Sequence, residues 1–264
     1  MDWHVARKEF RQAFLTPLKH LLLYGDAKFP EAIAIEVGTH CNRACPYCTQ
    51  SVDKQPTGWM SDRVLDAVSF RLRQLYFTGT IFYSWRNEPL LRKDLEEVVA
   101  RFKQDAPAAR HMIYTNGDAL TDDRMRKLIV AGMSEFVVTR HPPFSDEWDR
   151  RIAFLKQMYP RHVSLRGSIV DSPWLMNYAG TVNIPNKKSM GWCNVPNVHF
   201  QILANGDVPL CCALPRRDVL VMGNVLEESI LAIWGKPQFK ELRQQAASGN
   251  PSEPICRRCL CLEG

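Results

Sequence analysis

Residues 32–50 read AIAIEVGTHCNRACPYCTQ: an apolar run ending in glycine, then three cysteines with three and two residues between them. The run AIAIEVG (32–38) predicts a strand, and the cysteines fall just beyond its end. Thiolates that hold a structural metal usually come in fours. Cys41, Cys45 and Cys48 therefore leave one ligand position open, and His40 is too close a neighbour of Cys41 to join the same tetrahedron easily. Soft thiolates select zinc or iron–sulfur clusters, so a structural zinc loop is the competing reading of the triad.

Working outward from that stretch, strands and helices alternate. Ser61 opens a helix over 61–77 as its N-cap. A strand over 80–85, a helix over 92–106 and a strand over 110–115 follow. Next come a helix over 121–133 with Gly132 near its end, a strand over 135–139, a helix over 145–159 and a strand over 162–170. The alternation predicts an α/β fold with a parallel sheet and crossover helices. Five or six such units are too few for an eight-fold barrel, which leaves a partial (β/α)5–6 TIM-like barrel whose chemistry sits at the strand ends that carry the cysteines.

The flanks read differently. In residues 3–23, Trp3, Phe10, Phe14, Leu18, Leu21 and Leu22 stand at helical spacing among Arg7, Lys8, Arg11 and Lys19. This predicts a helix covering a core, with a membrane-surface helix as the alternative. After Val170 a Pro-, Asn- and Gly-rich connection carries no period. NVHFQILANGDVPLCC (197–212) reads as a hairpin turning at Asn205-Gly206, and the following helical stretch breaks near Gly235-Lys236-Pro237. The expected organisation is a helical extension over 1–30, the partial barrel over 31–171, a connection over 172–192 and a small C-terminal domain over 193–264.

Composition bounds the partners. The chain has 264 residues, 45% of them hydrophobic, nine cysteines and a formal net charge of +6. Nine thiols without a secretory leader point to a reducing, cytoplasmic setting in which cysteine binds metal or does chemistry. No apolar run approaches a membrane span. The basic residues occur as scattered pairs (Lys187-Lys188, Arg216-Arg217, Arg257-Arg258), not as a nucleic-acid stripe.

The spacing C-x3-C-x2-C, with Tyr47 before the last cysteine, resembles the signature of radical S-adenosylmethionine (radical SAM) enzymes. That resemblance implies a [4Fe–4S] cluster on Cys41, Cys45 and Cys48, whose open iron chelates the methionine part of S-adenosylmethionine. The missing fourth ligand is then the cosubstrate. Where the family has Gly-Gly-Glu-Pro to contact the methionine ammonium, this chain has Arg86-Asn87-Glu88-Pro89: the acid and proline match and the glycines do not. YTNGD (114–118) and VTRH (138–141) fall where the family lines its cosubstrate pocket. Tyr47, Glu88, Asn116 and Thr139 are accordingly the cofactor-binding candidates.

Cys193, Gly206, Cys211 and Cys256-x2-Cys259 form a second pattern. It resembles the twitch form of the auxiliary-cluster domain, which implies a second [4Fe–4S] cluster on four thiolates. A four-cysteine zinc ribbon is the competing reading. Together the resemblances cover residues 31–264 and are similar to the radical SAM dehydrogenases and epimerases of aminoglycoside biosynthesis. They imply a small polar sugar or aminocyclitol substrate, an electron donor such as flavodoxin or ferredoxin, and no nucleic-acid or membrane partner.

Cys212 bears on the choice of reaction. Successive strand side chains point to opposite faces, so if Cys211 faces a cluster, Cys212 faces the barrel mouth. A thiol there would return a hydrogen atom to a substrate radical; the bland alternative is a small buried side chain. The family's dehydrogenases carry a carboxylate where this chain has Ala213 and an arginine where it has Tyr178. Epimerisation at a carbinol carbon with Cys212 as donor is therefore the leading expectation, and dehydrogenation to a ketone its alternative. Peptide modification ranks third, because about 30 residues before the first strand are too few for a peptide-recognition domain. Cys261 is either an alternative ligand to Cys259 or a neighbour.

Overall fold

Strand β1 (Ala32–Ile35) is buried along its whole length. Its alternate side chains do different jobs: Ile33 and Ile35 pack under the helices, while Ala32 and Ala34 face inward with Phe82, Met112 and Val137. The computed structural model describes residues 15–52, 58–168, 176–182, 191–214 and 218–262. β1 is followed by β2 (Thr80–Phe82), β3 (Arg110–Thr115), β4 (Glu135–Arg140), β5 (Val163–Ser168) and β6 (His199–Ile202). All six form one sheet in the order β5-β4-β3-β2-β1-β6, and every pairing is parallel. This is the expected partial barrel.

The crossover helices begin where the hydroxyl caps predict. Ser61, Thr121 and Ser145 accept from the backbone N–H of Val64, Arg124 and Trp148, three residues on in each case. Each cap satisfies one of the donors that a helix start leaves orphaned. In the helix Asp62–Leu75, Val64, Leu65, Val68, Leu72 and Leu75 are buried at spacings of three and four, as one apolar face requires. Tyr76, left-handed at φ 49°, ends it. The helix expected from Arg92 starts later, at Leu95, because Pro89–Leu91 form a separate 3-10 turn.

Two expectations are corrected. The hairpin around Asn205-Gly206 is not a two-stranded ladder. β6 instead lies beside β1, with Phe200 opposite Ile33. β7 (Asp207–Pro209) pairs antiparallel with β8 (Val221–Asn224). Phe200 and Ile202 are fully buried, and a half-exposed hairpin could not have covered them. The second correction concerns the N-terminal helix Thr16–Tyr24. Its packed face consists of His20 and Tyr24, while Leu18, Leu21, Leu22 and Leu23 are exposed. Trp3, Phe10 and Phe14, together with Lys187-Lys188 and Arg216-Arg217, lie outside the described residues. Among the described residues no helix is long and apolar enough to cross a membrane.

Candidate active site

The cysteine loop leaves β1 and is fastened to its neighbours before it reaches the first thiol. Thr39 N–H donates to Gly58 O at 2.9 Å, and Gly58 N–H returns a bond to Thr39 Oγ1 at 2.9 Å. Glu88 N–H donates to His40 O at 2.7 Å. Arg43 then clamps the loop to the end of β3. Its Nη2 and Nε donate to Asp118 Oδ1 and Oδ2 at 2.6 and 2.7 Å, the bidentate geometry that suits guanidinium and carboxylate. Its Nη1 also donates to the carbonyls of His141 and Pro142. Burial alone would raise the Asp118 carboxyl, but the bonds from Arg43 and Asn42 outweigh it and hold the group below the ordinary range.

Loop and strand ends enclose a cavity of about 320 Å³. Cys41, Cys45 and Cys48 line it together with Tyr47, Glu88, Asn116 and Thr139, so the structure brings all of these expected residues into one place. Tyr47 OH and His141 Nδ1 lie 2.8 Å apart with their rings stacked. Burial holds the His141 imidazole below its ordinary value. Glu88 is 2% exposed. Its Oε1 accepts from Thr115 Oγ1 at 2.7 Å and Leu90 N–H at 3.1 Å, and its Oε2 from Asn116 N–H at 2.8 Å. Desolvation still outweighs these three donors and pushes the carboxyl up to about 7. A buried acid near neutrality is fitted to meet a cation.

A second cavity is lined by Cys193, Cys211, Cys256 and Cys259 among Pro196, Leu214, Ile255 and Leu260. Cys256 and Cys259 share one face of the short helix Pro254–Cys259. Cys193 is placed by its N–H bond to Ala246 O at 2.8 Å. Cys261 does not line this cavity; Asn177 Nδ2 donates to its sulfur at 3.4 Å. The premise behind Cys212 is corrected. β7 ends at Pro209, so Cys211 and Cys212 lie beyond it, with Cys212 in the turn that follows, and strand alternation does not extend to them. Cys212 is absent from the lining of both cavities. Burial, with the Cys193 thiol beside it, pushes its thiol up to about 11 against the opposing charge of Arg86.

Both thiol sets have the soft-donor chemistry that iron–sulfur clusters take. The first cavity also carries a donor suited to a carboxylate. Asn87 Oδ1 accepts from Trp85 N–H at 2.8 Å, which leaves Asn87 Nδ2 buried without a hydrogen-bond partner.

The sequence reading did not place Trp85 or His141 individually, and it treated Arg86 and Tyr178 only as departures from a pattern. All four line the first cavity. Nothing in residue type or spacing marks Trp85, whose role depends on a contact 127 residues away.

Comparison with known proteins agrees with this geometry. Residues 35–156 match the radical SAM superfamily, and residues 193–260 match SPASM, an iron–sulfur cluster-binding domain. An S-adenosyl-L-methionine-dependent 2-deoxy-scyllo-inosamine dehydrogenase of Niallia circulans is 33% identical over 241 residues, covering 86% of this chain and 91% of that enzyme. The crystal structure of BtrN in complex with AdoMet and 2-DOIA superposes with a TM-score of 0.80 at 30% identity, covering 88% of this chain and 93% of that one. BtrN in an open conformation matches less closely, with a TM-score of 0.67 at 28% identity over 88% and 92% of the two chains. The chain belongs to the radical SAM superfamily, taking S-adenosylmethionine on a [4Fe–4S] cluster and an auxiliary iron–sulfur cluster in its SPASM domain.

Proposed function

We propose that the chain oxidises a secondary alcohol of a small polar metabolite, of sugar or cyclitol type, to the ketone. The observation that carries this reading is the 33% identity, over 91% of its length, to an enzyme that dehydrogenates an aminocyclitol. It moves the balance away from epimerisation, the leading expectation from sequence, and toward its alternative. The site supports the same choice, since Cys212 does not line the first cavity.

When bound, the two clusters and S-adenosylmethionine supply a 5′-deoxyadenosyl radical to remove the carbinol hydrogen atom and an acceptor for the second electron. The chain's residues do the rest. Cys41, Cys45 and Cys48 would hold the first cluster, and Cys193, Cys211, Cys256 and Cys259 the auxiliary one. Glu88 meets the methionine ammonium and Asn87 Nδ2 the methionine carboxylate, while Tyr47, Asn116 and Thr139 line the nucleoside and its approach. The carbinol proton leaves to solvent as the ketone forms. Tyr178 lines the first cavity and Ala179 the second, so one short segment borders both sites.

The test is product mass together with the Cys212→Ala variant. Dehydrogenation gives a product two mass units below the substrate, and Cys212→Ala retains its formation. A product of unchanged constitution, carrying one solvent deuterium at an inverted carbon and lost in Cys212→Ala, would restore epimerisation.

A further inference from the structure

The acid that meets the methionine ammonium owes its position to the neighbouring strand. Glu88 Oε1 accepts from Thr115 Oγ1 at 2.7 Å, and its Oε2 from Asn116 N–H at 2.8 Å. Both donors belong to residues 115–118, the loop at the end of β3. Gly117 N–H donates to Thr115 Oγ1 at 3.0 Å, so that hydroxyl is itself held while it donates. On its other side the loop is tied to the helix Asp146–Met158. Trp148 Nε1 donates to Asn116 O, and Arg151 Nη2 to the carbonyls of Gly117 and Asp118.

Two neighbours in the cysteine loop grip the same residues. Arg43 clamps the Asp118 carboxylate, while Asn42 reaches both Asp118 and Asn116. Asn42 Nδ2 donates to Asp118 Oδ2 at 2.8 Å, and Asn42 Oδ1 accepts from Asn116 Nδ2 at 2.9 Å. Asn116 Oδ1 in turn accepts from Asp118 N–H at 2.9 Å. Both ends of both amides therefore meet a partner of the right polarity, which fixes how each amide is turned. An acid in place of Asn42 would set a second carboxylate against Asp118.

Asn42 and Asp118 line neither of the cysteine cavities. Asn116 does line the first, but its amide is engaged at both ends with the protein. What this network offers a ligand is the geometry of Glu88. A charge-assisted contact gains most when its geometry is set before the ligand arrives. The Asn42 side chain holds the Asn116 side chain, and the Asn116 N–H holds the Glu88 carboxylate.

We infer that Asn42 is a positioning residue for S-adenosylmethionine: it carries the seating of the cysteine loop through Asn116 to Glu88. Loading of the triad and binding of the cosubstrate are then linked through the protein as well as at the cluster itself, and such a link acts in both directions. This inference rests on the Glu88–ammonium contact proposed above and not on the alcohol chemistry.

The experiment is anaerobic calorimetry with S-adenosylmethionine on cluster-loaded protein, with iron counted per chain. Asn42→Ala should keep its iron and bind S-adenosylmethionine about tenfold more weakly, as the loss of hydrogen bonds of this kind implies. Asn42→Asp should lose at least as much. Adding Asp118→Asn to it should recover most of that loss, because one amide and one carboxylate again face each other. Asn116→Ala removes the same bond from the other side, so Asn42→Ala combined with Asn116→Ala should lose less than the product of the single losses. Asn42→Ala and Asn42→Asp proteins that keep their iron and bind within about twofold of the wild type overturn the inference. Losses that multiply in the double variant overturn it as well. If Asn42→Ala sheds the first-cluster iron, Asn116→Ala decides; if both shed it, the bond serves the cluster alone and the inference falls. Glu88→Gln keeps the two failures apart. Unchanged affinity in Glu88→Gln removes the ammonium contact, whereas weakened affinity there beside unchanged affinity in Asn42→Ala removes only the link.

Discussion

The indole Nε1 of Trp85 donates to the backbone carbonyl of Cys212 at 2.7 Å, joining the end of β2 to the turn that follows the auxiliary-cavity residue Cys211. One hydrogen bond thus couples the wall of the first cavity to the second. Trp85→Phe keeps an aromatic face for Arg86 and removes the donor, a loss of about 1 kcal/mol with the Cys212 carbonyl left to find water. The expected result is uncoupling: deoxyadenosine continues to form while ketone per deoxyadenosine falls severalfold. Measuring both products in one assay checks this, and an unchanged ratio would make the bond merely structural.

Legibility followed the range of the interactions. The capped helices, the parallel alternation, the first cysteine triad and the Cys256–Cys259 pair rest on local spacing, and the residues that declare them lie within a turn or a strand of each other. β6 was misread because an Asn-Gly turn looks the same whether its first strand ladders onto the second or onto β1; pairing Phe200 with Ile33 is a choice made 167 residues apart. The strand alternation invoked for Cys212 fails for a related reason. Alternation is a property of strands, and β7 stops two residues before Cys211. The Arg43–Asp118 clamp joins two stretches that the sequence singled out separately, but nothing in either names its partner.

Metal content separates cluster from zinc at each site. Cluster-loaded protein should carry about eight irons and eight sulfides per chain if both sites hold four-iron clusters. Replacing Cys41, Cys45 and Cys48 together with Ala should leave about four irons, and replacing Cys256 and Cys259 should remove the other set. Stoichiometric zinc retained by the triple variant would remove the electron acceptor from the proposed reaction.

Beneath the sheet, His111 is fully buried. Its Nδ1 lies 2.6 Å from Tyr83 OH, and its Nε2 lies 3.5 Å from Ala106 O. That is the pattern of a neutral imidazole accepting on one nitrogen and donating on the other. Burial, reinforced by the charge of Lys103, lowers its pKa from 6.5 to about 4. The unfolded chain therefore binds the proton first, and folding stability should fall as pH drops from about 6.5 toward 4, by at most about 3 kcal/mol. Histidine carbon NMR should show His111 still neutral at pH 5.5, where an exposed imidazole is largely charged. A His111 signal titrating near 6.5 would be the contrary result.

Glu88 gives a pH dependence of the opposite sense, and it links binding to stability. Burial raises its carboxyl from 4.5 to about 7 despite three donors. Before S-adenosylmethionine arrives, the fold therefore favours the protonated acid. That contribution is complete below the ordinary carboxylate pKa and is lost as pH rises through about 7. The methionine ammonium instead favours the carboxylate, so binding below pH 7 must release a proton. Affinity for S-adenosylmethionine should weaken about tenfold for each pH unit below about 7 and level off above it. Glu88→Gln keeps the shape without the charge. Its affinity should be flat with pH and about tenfold or more below the wild type at pH 8. A variant that binds more weakly, with an affinity flat in pH, identifies a charge held for the cosubstrate, whereas one that binds as before would reduce Glu88 to a cap on the turn at Pro89.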